Sequence, residues 1–297
     1  LRFIRGIVDA SDLPLNVSRE LLQEHQLVDV IKKSITKRAL ESLKNLKEKS
    51  VDEYKKFWNQ YGLVIKEGPA EDLENRELIA SLLLFSSSAL DSQSEDHSLD
   101  DYINRMKPEQ NKIFYCVADT FEAAINSPHI EGLKSEGKEV LLLTDRIDEW
   151  LMANLMEYKG KELANVAKEE IKPNEEKKIS KSDQEIISKV KKHLGDKVSD
   201  VIVSSRLVDS ASCILLPKHE PGSQLRKILE AAGQDIASSQ PIFEINLKHK
   251  LLKKLNTMKG KQFNSFVDFL YDYAIIAEGG SPRDPAKYLR QLDKYLA

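Results

Sequence analysis

Leu13-Pro14-Leu15-Asn16-Val17-Ser18-Arg19-Glu20-Leu21-Leu22-Gln23 joins an apolar N-terminal run to a long helical pattern. Asn16 and Ser18 are helix N-cap types, and apolar residues recur behind them at Leu21, Leu22, Leu27, Val28 and Ile31. Arg19 therefore falls at or next to the first turn of a helix. A cation there opposes the helix dipole, at a cost of about 0.3–1 kcal/mol. Such an arginine, with a loop before it, is placed to meet an anion that the chain does not itself supply, phosphate above all. Local chemistry by itself favours the plainer alternative, a solvated loop arginine.

Outward from this stretch, the 297 residues suggest about two domains. The net charge of −3 gives no basic field for nucleic acid. No apolar run approaches the ~20 residues of a membrane-spanning helix, and the N-terminus lacks a signal-peptide pattern. Cys116 and Cys213 lie far apart in apolar, strand-like runs, which suits buried thiols in a reduced, cytoplasmic protein. Leu1 stands inside what reads as a strand, so the chain reads as a piece of a longer protein. The histidines are scattered without metal-ligand spacing, and no metal is predicted. Gly132 to Lys138 has phosphate-loop spacing, but Glu139 follows where Ser or Thr is needed. A helix also precedes that loop and a strand follows it, the reverse of the required order. It reads as a turn that feeds a strand.

The periodicity predicts a strand near residues 1–9 and a helix from Val28 to Lys47 with a basic outer face. A second helix holds Val51, Tyr54, Phe57, Trp58 and Tyr61 and stops at Gly62. A third runs from about Ala70 to Phe85. Residues 86–98 read as a loop. Strand, helix, strand and helix over 113–158 read as a small parallel α/β unit. Residues 160–182 have the composition of a linker. Beyond them come a helix ending at Gly195, paired strands over 198–208 and 213–216, a helix over 225–232 and a strand over 241–247. The last two helices carry apolar stripes, Phe263-Phe266-Val267-Leu270-Tyr273-Ala274-Ala277 and Tyr288-Leu289-Leu292-Tyr295-Leu296. Asp284 and Pro285 begin the second of them. Two such helices do not bury both stripes on each other, so a two-fold partner offering the same pair is expected to complete a four-helix bundle.

LPLNVSRELLQ resembles the catalytic-loop segment of the HtpG-type heat-shock chaperones, the bacterial branch of the ninety-kilodalton class. The preceding LRFIRGIVD is similar to the strand that feeds that loop. Three further blocks match in order: Trp58-Asn59-Gln60-Tyr61-Gly62 with Lys66-Glu67-Gly68, Leu141 to Trp150 (LLLTDRIDEW), and Ala231-Ala232-Gly233-Gln234. Together they cover nearly the whole chain.

The resemblance implies an α+β chain. Residues 1–165 would be the remainder of a middle domain, with the catalytic loop, a three-helix coil and a small α/β unit. Residues 166–182 would be a linker and 183–297 a C-terminal dimerisation domain. It implies that Arg19 reaches the γ-phosphate of ATP held by a separate N-terminal domain, with Gln23 assisting. ATP and Mg then belong to the full-length protein, a slow ATPase, and this part has neither a cofactor nor an activity of its own. It further implies that Trp150 contacts non-native clients, with a second client patch at Leu225, Ile228 and Leu229. The family's asparagine three residues beyond the tryptophan is Ala153 here, and its methionines of the second patch fall at Pro221 and Leu225. The expected partners are a second copy through Phe266, Leu270, Tyr273, Leu289, Leu292 and Leu296, non-native clients, and other chaperones, with neither nucleic acid nor membrane. The rival reading is a non-enzymatic dimeric scaffold in which Arg19 is a surface charge.

Overall fold

A computed structural model describes residues 2–8, 26–90, 92–168, 180–217, 220, 226, 233 and 240–296. The fold is α+β, as expected. The first part opens with three helices, α1 (Gln26–Lys49), α2 (Val51–Glu71) and α3 (Arg76–Leu82). Asp52 and Glu53 in the first turn of α2 complement its dipole. Tyr54, Trp58, Gly62, Ile65, Lys66 and Pro69 form its buried stripe at three-and-four spacing. Gly62 does not stop the helix. It lies one turn past Trp58, and a Cβ there would stand 2.8 Å from the indole Cε2. The glycine is a flat seat for the tryptophan ring.

The sheet of this part has the order β2-β1-β4-β3-β6-β5. Its strands are β1 (Phe85–Ser87), β2 (Ser92–His97), β3 (Lys112–Val117), β4 (Leu141–Leu143), β5 (Glu157–Tyr158) and β6 (Lys161–Asn165). Central β3 runs parallel to β4 and β6, while β1 is antiparallel to β4. Between the strands lie α4 (Leu99–Arg105), α5 (Phe121–Ile125), α6 (Glu131–Ser135) and α7 (Asp148–Asn154). Ser98 and Asp101 form a capping box on α4. Gly137, with φ 66°, turns the chain from α6 towards β4, in agreement with the rejection of a phosphate loop.

Several elements depart from the sequence reading. Residues 4–8 adopt no regular structure; Phe3 instead stacks on Tyr61 at 4.7 Å and Arg2 pairs with Glu67. The expected loop at 86–98 contains β2, a polar strand on the sheet edge, where solvated side chains are the rule. The helix expected to reach Tyr158 ends at Asn154, and part of the expected linker is β6. Lys159 (φ 47°) and Gly160 (φ 72°) make the two-residue turn between β5 and β6, with the left-handed pair that such hairpins require.

The second part holds α8 (Lys181–Leu194), β7 (Asp200–Val203), β8 (Ser212–Leu215), β9 (Ile242–Ile245), α9 (Lys250–Lys253), α10 (Gly260–Ala277) and α11 (Pro285–Leu296). β7 and β8 do not pair with each other; each flanks β9, β7 parallel and β8 antiparallel. Helices α8 and α10 share one hydrophobic core with this sheet.

Polar ties join the two parts. Buried Arg206 donates to the Val166 carbonyl at 2.8 Å and to Glu244 at 2.9 Å. The Glu131 carboxylate accepts from the backbone N–H groups of Val208, Asp209 and Ser210. His129 meets Glu278. Gly132 lies against the Arg206 backbone, where a Cβ would stand 2.9 Å from its carbonyl oxygen. Cys116 and Cys213 are free and buried, as expected, and burial pushes both thiols above their ordinary range.

Candidate functional site

Lys66 occupies a stripe position of α2 that would ordinarily be apolar, and its side chain is fully buried. Its ammonium lies 2.6 Å from Asp145, 2.8 Å from Glu95 and 3.0 Å from Asp148. The rings of Trp58 and Phe85 stand 5.9 and 5.8 Å from it. Trp58 Nε1 donates to the other oxygen of Glu95 at 2.6 Å. The cluster thus draws together α2, edge strand β2 and the turn from β4 into α7.

One ammonium serves three carboxylates, and they are not served alike. Burial pulls the Lys66 ammonium down, but Asp148, Glu95 and Asp145 together outweigh it, and the net direction is up. Asp148 is as deeply buried as the lysine. Its Oδ2 accepts from the Asp145 backbone N–H at 2.9 Å, while Oδ1 lies close to Lys66 without hydrogen-bond geometry. Burial raises the Asp148 carboxyl to about 6, only partly offset by Lys66 and reinforced by Asp145.

Helix α7 begins at Asp148, so this cluster fixes its first turn. Leu151 and Met152 face the core, and Leu155 is buried just after the helix. Trp150 points away from them and is 38% exposed, a large apolar surface on a helix held from beneath. Met156, just past the helix, is also exposed.

The other sequence-derived residues are distributed as follows. Arg19, Gln23, Leu225, Ile228 and Leu229 lie outside the described residues. Phe266 and Leu270 are buried in the chain's own core, against the sheet of the second part. Tyr273 and Leu292 are half-buried, and Leu289 is 58% exposed on α11. Leu296 ends α11, and its side chain is outside the description. The helix bearing Trp150 and the terminal helices pack on different cores, so Trp150 and α11 do not form one site. Sequence reasoning missed the cluster around Lys66. Its signal was a lysine on the apolar stripe of α2, which requires a buried acid elsewhere in the chain.

The motif blocks around Trp58, around Lys66 and from Leu141 to Trp150 meet at this one cluster, which ties their chemistry to a single fold class. The family model for Hsp90 protein matches residues 1–297, and the chain belongs to that family. It is 43% identical over 303 residues to Chaperone protein HtpG of Legionella pneumophila (strain Paris). It is 46% identical over 308 residues to Chaperone protein HtpG of Burkholderia ambifaria. Each alignment takes in 100% of this chain and 49% of the relative, so the chain spans about half the length of the curated relatives it matches.

Two outcomes follow from the cluster. Lys66→Met leaves a fully buried carboxylate without its cation and lowers stability by about 3–5 kcal/mol, read from chemical denaturation. Asp148, with its carboxyl raised in the folded state, adds stability that is complete below the ordinary carboxylate range and lost as pH rises through about 6. Asp148→Asn therefore flattens the fall in melting temperature between pH 4 and 6.5; an unchanged pH profile would contradict the assignment.

Proposed function

We propose that this chain is part of an ATP-dependent molecular chaperone of the cytoplasm that holds non-native clients as a homodimer. The observation that carries the reading is Trp150, exposed on a helix whose opposite side is fixed by a buried ion cluster. Exposed aromatic surface on a rigid support suits contact with partly unfolded chains, because no ordering cost falls on the binding side. Residues 1–165 act as the middle-domain portion and 183–297 as the dimerisation portion, joined by 166–182. Arg19 and Gln23 act on the γ-phosphate of Mg-bound ATP held by a nucleotide-binding domain of the full-length protein. There Arg19 would neutralise charge that develops on the transferred phosphoryl group. The dimer forms through α11, whose Leu289 leaves apolar surface that α10 of the same chain does not cover.

Trp150→Arg tests the central element. The variant is expected to keep its melting temperature and to lose at least half of its suppression of aggregation of a chemically unfolded client. Full suppression by a folded variant would end the proposal. In the full-length protein, Arg19→Ala is expected to cut ATP turnover by about tenfold or more, short of the ~10³–10⁵ of the best-studied arginines of this type because domain closure limits a slow ATPase, with ATP affinity nearly unchanged. Unaltered turnover would return Arg19 to a surface charge. Leu289→Asp is expected to give a folded monomer in sedimentation equilibrium at micromolar concentration, where the parent chain sediments as a dimer. A monomeric parent would remove the dimer from the proposal.

A further inference from the structure

Lys47 and Lys66 lie in opposite electrostatic settings. Lys66 is surrounded by carboxylates. Lys47, in the last turn of α1, is half-buried with its ammonium 6.0 Å from the centre of the Tyr54 ring. It donates to the backbone carbonyl of Ser81, at the end of α3. The acids of its neighbourhood are held elsewhere. Asp101 is bound by the Ser98 N–H and hydroxyl at 2.9 and 2.6 Å, Asp100 by Lys159 at 2.6 Å, and Asp96 by Lys55 at 2.9 Å. Glu48 points to Lys44, across 4.0 Å. Among the described residues, Lys47 is left with one neutral acceptor and no ion-pair partner. Its amine opens into a pocket of about 270 Å³ whose lining includes Val51, Tyr54 and Leu84 together with the already engaged acids Asp96, Asp100 and Asp101.

We propose that Lys47 is an acylation site, whose side-chain amine takes a short acyl group from a small acyl thioester. The free amine attacks the thioester carbonyl. An N–C bond forms, the C–S bond breaks, and the departing thiolate takes the proton that the nitrogen loses. The product amide keeps one N–H for the Ser81 carbonyl. It also removes a cation that burial disfavours, so the modified side chain fits the site at least as well as the parent one. Burial, only partly countered by Asp101, Asp100 and Glu48, lowers the Lys47 ammonium to about 8. Near pH 7.5 that leaves roughly two-hundredfold more free amine than on an ordinary lysine. The uncharged thioester suits a pocket whose rim mixes both signs of charge.

The test exposes the intact 297-residue chain to S-acetyl-N-acetylcysteamine and follows each lysine by peptide mass spectrometry across pH 7 to 10. Lys47 is expected to acetylate at least about tenfold faster than Lys44 on the pocket rim, with a half-maximal rate near pH 8. Acetylation at the Lys44 rate, or more slowly, would overturn the proposal. Val51→Glu places a carboxylate at the pocket mouth and is expected to slow Lys47 several-fold without changing the melting temperature. A folded Val51→Glu chain with an unchanged Lys47 rate would also overturn it, because the unpaired state of the amine would then not be the cause.

Discussion

The ammonium of Lys66 is the constraint on which the first half of this structure depends. A lysine carried fully into the core loses several kcal/mol of hydration, and that loss is recovered only when its partners are placed well. Here the partners come from two places far apart in the chain, Glu95 on an edge strand and Asp145 and Asp148 at the start of α7. Neither could shift far without stranding a charge. The helix bearing Trp150 is therefore fixed by electrostatics as well as by the packing of Leu151 and Leu155. Apolar residues in place of Lys66 and all of its acidic partners would pack more cheaply but would leave the orientation of α7 less specified. Specificity at some cost in stability is a recognised use of buried charge.

The join between the two halves is built differently. Arg206 is buried like Lys66, but it answers to one carboxylate, Glu244, and one carbonyl, that of Val166. Its planar guanidinium can satisfy both in fixed directions, which an ammonium does less well. Glu131 completes the join by holding three successive N–H groups of the 208–210 loop. Gly132 permits the contact, because a side chain there would strike the Arg206 backbone. The relative placement of the two sheets is thus set by directional polar contacts in addition to apolar area.

Much of this architecture was legible in the sequence, and the failures share a cause. Helices with a clear apolar stripe, such as α8 and α10, and the apolar strands β3, β4 and β9 were readable from periodicity. β2 was not, because an edge strand keeps polar side chains and its residues Ser92 to His97 resemble a loop. β6 was hidden by its position beside the charged 166–182 segment. Gly62 was read as a helix stop because local propensity was all the sequence offered; its reason is the indole of Trp58 one turn earlier. Phe266 and Leu270 looked like interface residues because the strands that cover them lie in another part of the chain. Trp150 was singled out by resemblance, and the structure leaves it exposed. The ion cluster that supports it was not, since a lysine and three acids acquire meaning only when the fold brings them together.

If the Lys66 cluster holds α7 in place and so presents Trp150, removing the ammonium must loosen the start of that helix. Amide hydrogen exchange of residues 148–155 in Lys66→Met, under conditions where the chain remains folded, tests it most directly. Exchange in that segment is expected to be faster by at least about a hundredfold, as the helix start opens locally, while the amides of β7, β8 and β9 keep their protection. Protection of α7 equal to that of the parent chain would contradict it.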